Sequence, residues 1–250
     1  MKRFGLTGYP LGHSFSAGYF AEKFRINGQT DCEYANFPVT SAGLIRSLFA
    51  DDSALMGLNV TIPYKQQVIS YIDELDTTAA EIGAVNVIKA YRAAGKLRLK
   101  GFNTDSYGFG ASLPEEIVSA PGKALVLGIG GASAAVSHSL MKLGFEVVAV
   151  SRNADKSSVT YDLLSREMIG SSKIIVNTTP LGMHPDTGSR PPLDYDSLTP
   201  EIFLYDLVYN PTVTEFMREG ALRGCRTMNG LRMLQLQADR TWEVWNDDAL

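Results

Sequence analysis

The sequence predicts an α/β protein built as two domains, and three observations carry that prediction. Short apolar strands alternate with helical patterns through the first part of the chain. Further on, the glycine turn Gly128-Ile129-Gly130-Gly131-Ala132-Ser133 joins a buried strand to a helix. A long helical pattern over residues 231–245 then closes the chain behind Asn229-Gly230. Strands and helices that alternate in this way favour a layer of parallel strands covered by helices.

Taken in order, residues 3–8 read as a strand that runs into Gly8-Tyr9-Pro10. Residues 16–27 carry Tyr19, Phe20, Phe24 and Ile26 loosely at helical spacing and stop at Asn27-Gly28, a helix-ending pair. Residues 33–39 alternate as a strand, 41–49 form a helix behind a Ser cap, and 55–62 form a strand closed by Pro63. The rhythm changes after Gly101. Residues 123–127 are a buried strand, 134–143 a helix and 145–150 a second apolar strand, with short strands at 174–176 and 202–207. Strand, glycine turn, helix and strand make the βαβ unit of a doubly wound, Rossmann-type dinucleotide fold. The expected domains are therefore 1–101, with 229–250 packing back on it, and 102–228.

Composition narrows the function. The 250 residues are 45% apolar and 20% charged, ordinary for a globular chain with a sizeable core. Lys and Arg number 23 against 27 Asp and Glu, a formal charge of −4, which argues against a dedicated nucleic-acid binder. No apolar run approaches the ~18 residues that span a bilayer. The start, Met1 to Pro10, breaks into Gly and Pro before a secretory signal could form. Cys32 and Cys225 are far apart and lack metal-like spacing. The expectation is a cytoplasmic protein with no membrane partner, no disulfide framework and no metal.

The glycine turn points to a dinucleotide. Gly128 permits the tight turn, Gly130 lets the backbone approach a pyrophosphate, and the helix N-terminus offers free N–H groups and a positive dipole end. Ser133 stands at the third glycine position of the usual fingerprint, small enough for close packing. For a motif this loose, a plain strand-to-helix turn is the alternative. The second strand tip sharpens the reading. NAD enzymes place an acid there for the ribose 2′-hydroxyl, whereas this chain has Ser151-Arg152-Asn153, with Lys156 following. A guanidinium can stack on adenine and pair with a 2′-phosphate, so NADP is expected. Solvated turn charges are the alternative.

Polar residues also cluster in the first domain where packing does not ask for them. Ser14 and Ser16 flank Phe15; Asn59, Thr61 and Lys65 stand in NVTIPYK; Asn86 interrupts the apolar run 84–88; and Asn103-Thr104-Asp105 marks the domain boundary. Hydroxyls, amides, an ammonium and a carboxylate together suit a small polyhydroxylated acid. Taken singly, capping or turn chemistry accounts for Ser16 and Asn103, and a surface charge for Lys65.

The motifs GYPLGHSFS, NVTIPYK, GAVN, NTD, VLGIGGAS, NTTPLGM and NGLRMLQLQA, in this order from Gly8 to Ala238, resemble those of shikimate dehydrogenases. The resemblance implies an N-terminal α/β substrate domain and a C-terminal NADP domain of Rossmann type. It implies reversible reduction of 3-dehydroshikimate to shikimate, on the route to aromatic amino acids, by a monomer or homodimer. By motif, Lys65 resembles the catalytic lysine and Asp105 its partner. Ser14 and Ser16 resemble carboxylate-binding serines; Thr61, Asn86, Asp105, Tyr209 and Gln237 match other substrate contacts. Gly128, Ile129, Gly130, Gly131 and Ala132, with Ser151, Arg152, Asn153 and Lys156, match the NADP loops, and Leu207 and Gly230 lie near the nicotinamide in that pattern. The chain departs from the pattern at Ala17 and Phe20, where Pro and His are usual, and at Ser106, where Gly is usual. A quinate/shikimate dehydrogenase of broader specificity, or a non-catalytic NADP or metabolite sensor on the same fold, are the competing expectations.

Overall fold

The structure, a computed structural model of the chain, describes residues 1–11, 15–153 and 158–247. The chain divides into two compact units, Met1–Thr104 with Ala238–Leu250, and Asp105–Gln237.

The first unit contains β1 (Lys2–Gly8), α1 (Phe15–Ile26), β2 (Cys32–Pro38), α2 (Ile45–Asp51), β3 (Leu55–Val60), β4 (Glu74–Leu75), α3 (Thr77–Ile82), β5 (Val87–Ala93) and β6 (Lys96–Phe102). The strands form one sheet in the order β2-β1-β3-β5-β6-β4. The expectation of parallel strands holds for β1 with β2 and β3, but β5 runs antiparallel to both β3 and β6. This sheet is mixed. The cause is a two-residue hairpin, with Ala93 paired to Lys96 and both Ala94 and Gly95 at positive φ (49° and 76°). Such a turn matches the strand twist, but Ala at its first position hides the usual Asn-Gly signal.

One face of this sheet is packed by Val39, Ile45, Phe49, Leu58 and Val68. The other is packed by Phe4, Phe20 and Phe24 with Val244 and Trp245 from the last helix. Trp245 stacks on Phe4 at 4.7 Å and its Nε1 donates to the Ile88 carbonyl at 3.0 Å.

The second unit contains α4 (Asp105–Ser112), α5 (Glu115–Val118), β7 (Lys123–Leu127), α6 (Gly131–Lys142), β8 (Glu146–Ser151), β9 (Ser158–Thr160), α7 (Arg166–Gly170), β10 (Ser172–Asn177), β11 (Phe203–Asp206), α8 (Glu215–Leu222), β12 (Arg226–Asn229) and the first part of α9 (Leu231–Asn246). Its sheet is parallel throughout, in the order β12-β11-β10-β7-β8-β9. Buried apolar runs such as Leu125–Leu127 and Ile174–Val176 fit strands covered on both faces. Phe109, Val136 and Leu140 cover one face, and Ile169, Phe216 and Met217 the other. The strand order reverses between β7 and β10, the switch point where doubly wound sheets bind nucleotides.

The unit boundaries differ from 101/102 and 228/229. Asn103 donates to the Ala84 carbonyl and the Thr104 N–H to Asn86 Oδ1, which ties both residues to the first unit. At the other end, β12 pairs with β11 and Met233 lies in the core of the second unit, so the first unit resumes only at Ala238.

Candidate functional site

Within the first unit, the polar residues gather at one end of the sheet. Thr61 follows the C-terminal end of β3, and its N–H donates to the Thr7 carbonyl at the end of β1. Asn86 immediately precedes β5, whose antiparallel course brings it to the same end. Lys65 is half-buried in the turn after Pro63, fixed by a 2.7 Å bond from the Val85 N–H to its carbonyl. Backbone bonds from the Val60 N–H to the Asn86 carbonyl at 2.8 Å and from the Val85 N–H to the Lys65 carbonyl tie the segments that carry these three residues together.

Beneath them runs a neutral hydrogen-bond network. Tyr34 donates to Asn59 Oδ1 at 2.9 Å. Asn59 Nδ2 lies 3.4 Å from both the Thr241 hydroxyl and the Asn86 carbonyl. Thr241 meets Thr104 at 3.1 Å, and Asn86 Nδ2 donates to the Thr104 hydroxyl at 3.0 Å. The cost of burying an amide in the run 84–88 is thus met by Thr104. Burial raises the Tyr34 pKa, so the phenol keeps its proton. Tyr34 and Thr241 escaped sequence reading: a Tyr in a strand and a Thr in a helix both look like packing.

In the second unit, the glycine turn lies at the C-terminal end of β7. Gly128 has φ +121°, a conformation that L side chains rarely adopt, and a Cβ there would come within 2.5 Å of Thr178 Oγ1. The Gly128 N–H donates to the Val150 carbonyl at 2.7 Å. Gly130 is the N-cap of α6 and offers no side-chain cap. A Cβ built on Gly130 would meet nothing within 4 Å, so the space beside this residue is open. Ser133 donates to the Gly128 carbonyl at 2.5 Å, so the departure from the fingerprint closes the loop from within. Ile129 is exposed, whereas Gly131 and Ala132 are half-buried.

At the tip of β8, Ser151 is buried and its hydroxyl donates to the Asn153 carbonyl, while Arg152 and Asn153 are exposed. The Arg152 charge acts on Tyr161, whose pKa burial pushes up to about 12. Further along the same edge, Asn177 and Asp206 end β10 and β11 side by side. Asp206 accepts from Thr214 Oγ1 at 2.6 Å, from the Val208 N–H at 3.0 Å and from Asn177 Nδ2 at 3.0 Å. Asn177 Oδ1 in turn accepts from Thr179. Burial pushes the Asp206 pKa up to about 6, against the lowering effect of these donors. The network fixes the loop 207–214, with Leu207 and half-buried Tyr209, against the loop 178–182. Asp206 was legible only as an acid ending an apolar strand. Gly230 fits where it does because a Cβ would lie 2.1 Å from the Leu207 carbonyl oxygen.

Asp105, buried at the start of α4, and Gln237, buried on α9, belong to the second unit, whereas Lys65 belongs to the first. Ser106, beside Asp105, bonds through its hydroxyl to His138 Nδ1 at 3.0 Å. Gln237 donates to the Leu234 carbonyl at 2.9 Å. Ser14 and Lys156 lie outside the described residues. Among the described residues no group of three or more His, Cys, Asp or Glu is arranged to hold a metal ion, and no helix is long and apolar enough to cross a membrane.

A dinucleotide fits the second unit: a glycine turn with open space beside Gly130, a helix N-terminus without a side-chain cap behind it, and an arginine with no carboxylate at the next strand tip.

Residues 6–88 match the family model described as the shikimate dehydrogenase substrate binding domain. A shikimate dehydrogenase (NADP(+)) of Carboxydothermus hydrogenoformans is 36% identical, over 98% of this chain and 91% of its own length. Among solved structures, a shikimate dehydrogenase in complex with NADP+ superposes with a TM-score of 0.85 at 30% identity, covering 98% of this chain and 90% of that one. The enzyme from Thermus thermophilus, in complex with NADP(H) and shikimate, gives 0.83 at 30% identity, covering 98% and 94%.

Proposed function

The chain belongs to the shikimate dehydrogenase family, and from that membership we infer that it catalyses the reversible NADPH-dependent reduction of 3-dehydroshikimate to shikimate, a step of the shikimate pathway. The observation that carries this reading is likeness along 98% of the chain to an NADP-dependent shikimate dehydrogenase, in a chain that has both the glycine turn and the polar sheet end.

NADP, when bound, supplies or accepts the hydride. The Gly128 to Ala132 backbone would hold its pyrophosphate, since the N–H groups and the helix dipole at the start of α6 favour negative charge. By resemblance to the family, Arg152 would pair with the 2′-phosphate, Ser151, Asn153 and Lys156 would belong to the same NADP loop, and Leu207 and Gly230 would serve the nicotinamide.

The first unit holds the carboxylate of the substrate through Ser14 and Ser16, and its ring hydroxyls through Thr61 and Asn86. Asp105, Tyr209 and Gln237 contribute further contacts to the substrate. Reduction of a ketone builds negative charge on its oxygen, so a proton donor must reach that atom. Lys65 delivers the proton as an ammonium and, in the reverse direction, removes the hydroxyl proton as an amine. By resemblance to the family, Asp105 is assigned as the second group of this acid–base chemistry. The setting is a reducing cytoplasm, consistent with the free thiols of Cys32 and Cys225, and the working form is a monomer or homodimer.

The test is spectrophotometric: NADP+ reduction followed at 25 °C with shikimate, then with quinate. Shikimate oxidation faster than quinate oxidation supports the reading. Faster turnover of quinate would make this a broad-specificity relative, and NADP binding without turnover of either would make it a sensor.

A further inference from the structure

We propose that Thr241, on α9, is a positioning residue for Asn86. Its hydroxyl holds the hydroxyl of Thr104, and Thr104 grips both ends of the Asn86 carboxamide, so the amide meets the substrate in one orientation. The proposal rests on the assignment of Asn86 to the substrate hydroxyls.

A single residue grips the carboxamide. Asn86 Oδ1 accepts the Thr104 N–H at 2.7 Å, and Asn86 Nδ2 donates to the Thr104 hydroxyl at 3.0 Å. A backbone N–H can only donate, so it fixes which end of the amide is oxygen. The Nδ2 contact then sets the twist of the amide plane. The first bond comes from the main chain and is present whatever side chain stands at 104. The second depends on a hydroxyl that has three staggered positions about χ1.

The partner that selects among those positions lies on α9. Thr241 Oγ1 is 3.1 Å from Thr104 Oγ1. Thr104 Oγ1 accepts from Asn86, so its own proton goes to a further oxygen. Thr241 Oγ1 is a better acceptor than Asn86 Oδ1, which lies at 3.4 Å and already takes the Thr104 N–H. Thr241 is itself held from β3, where Asn59 Nδ2 reaches its oxygen at 3.4 Å.

Asn86, Thr104 and Thr241 are all buried, Thr241 completely, so bulk water does not replace a lost partner. Without the Thr241 hydroxyl, the Thr104 hydroxyl turns towards Asn86 Oδ1, and Nδ2 loses its acceptor. Packing alone would be served as well by valine, which has the shape of threonine. The hydroxyl is what ties α9 to the residue that binds the substrate.

The test separates hydroxyl from methyl. Thr241→Val keeps the shape and removes the hydroxyl, and Thr241→Ser does the reverse. Thr241→Val is expected to raise the shikimate KM about fivefold, the worth of one neutral hydrogen bond, with kcat within about twofold, because Asn86 binds substrate without passing a proton. Thr241→Ser keeps the bond and is expected to stay within about twofold of the parent KM, whatever its melting temperature. The KM for NADP+ should not move in either. Thr104→Val should raise the shikimate KM at least as much as Thr241→Val. The double variant should lose no more than Thr104→Val alone, because Thr241 acts through Thr104. Calorimetric titration with shikimate should repeat the KM pattern as Kd. Should Thr241→Val not fold, Thr241→Ala takes its place under the same expectations. An unchanged shikimate KM on loss of the hydroxyl, an equal rise in Thr241→Ser, or losses that multiply in the double variant would each overturn the proposal. If Asn86→Ala raises KM and Thr241→Val does not, only the role of Thr241 fails. If Asn86→Ala itself leaves KM unchanged, the assignment of Asn86 fails and takes the proposal with it.

Discussion

The two sheets end in polar networks of opposite character. In the first unit the network is neutral: Tyr34, Asn59, Thr241, Thr104 and Asn86 exchange hydrogen bonds through hydroxyls and amides alone. In the second, a buried carboxylate stands at the centre, with Thr214, Asn177 and the Val208 N–H around Asp206. A neutral network can reverse its hydrogen bonds to suit a ligand. A buried carboxylate only accepts, so it fixes the direction of every donor around it and holds two loops rigidly. Adaptable hydroxyls suit a substrate end that must answer several hydroxyls and an acid; fixed loops suit a cofactor cradle.

The largest expected effect tests whether catalysis belongs to the first unit. Lys65→Met keeps much of the stem and removes the proton donor, so kcat should fall by at least about 10²-fold. NADP affinity should hardly change, because the cradle Gly128 to Ala132 lies in the other unit. Asp105→Asn should also lower kcat, and the double variant should lose far less than the product of the single losses. Near-normal kcat in Lys65→Met would break the assignment.

Cofactor choice tests the second unit. Arg152→Asp should weaken NADP binding by about 1.5–3 kcal/mol, the worth of a charge-assisted contact, with much less effect on NAD. Equal losses for both cofactors, measured by fluorescence titration, would detach Arg152 from the 2′-phosphate.

A third measurement addresses the contrast between the networks. Burial raises the Asp206 pKa from 3.8 to about 6, so the folded state binds the proton more tightly than the unfolded one. The stability this proton adds is full below pH 3.8 and is lost as the pH rises through about 6. Denaturant unfolding at pH 4 and pH 7 should therefore show the parent losing about 2 kcal/mol relative to Asp206→Asn across that window. A difference that stays flat with pH would show that the carboxylate does not feel its burial.

The smallest effect concerns one bond. Ser133→Ala removes the donor to the Gly128 carbonyl and should cost about 1 kcal/mol of stability, with NADP affinity falling a few-fold. Unchanged affinity would mean that the glycine turn keeps its shape without the serine.

The sequence by itself determined the parts that local chemistry dictates. The glycine turn, the buried strand at 123–127, the helix behind it and the final helix are all written in neighbouring residues, and the structure forms β7, α6 and α9 there. The unacidic tip of β8 was legible for the same reason, because it needs only the residues that follow the strand. Tertiary structure alone decided the antiparallel β5, since Ala94-Gly95 carries a weak turn signal and pairing with β3 spans some thirty residues. It also decided which polar residues meet. Asn59 and Thr241 are separated by 182 positions, and Asn177 and Asp206 by 29, yet each pair bonds directly. A buried hydrogen bond takes its partner from whatever the fold brings within about 3 Å, and no spacing in the chain records that.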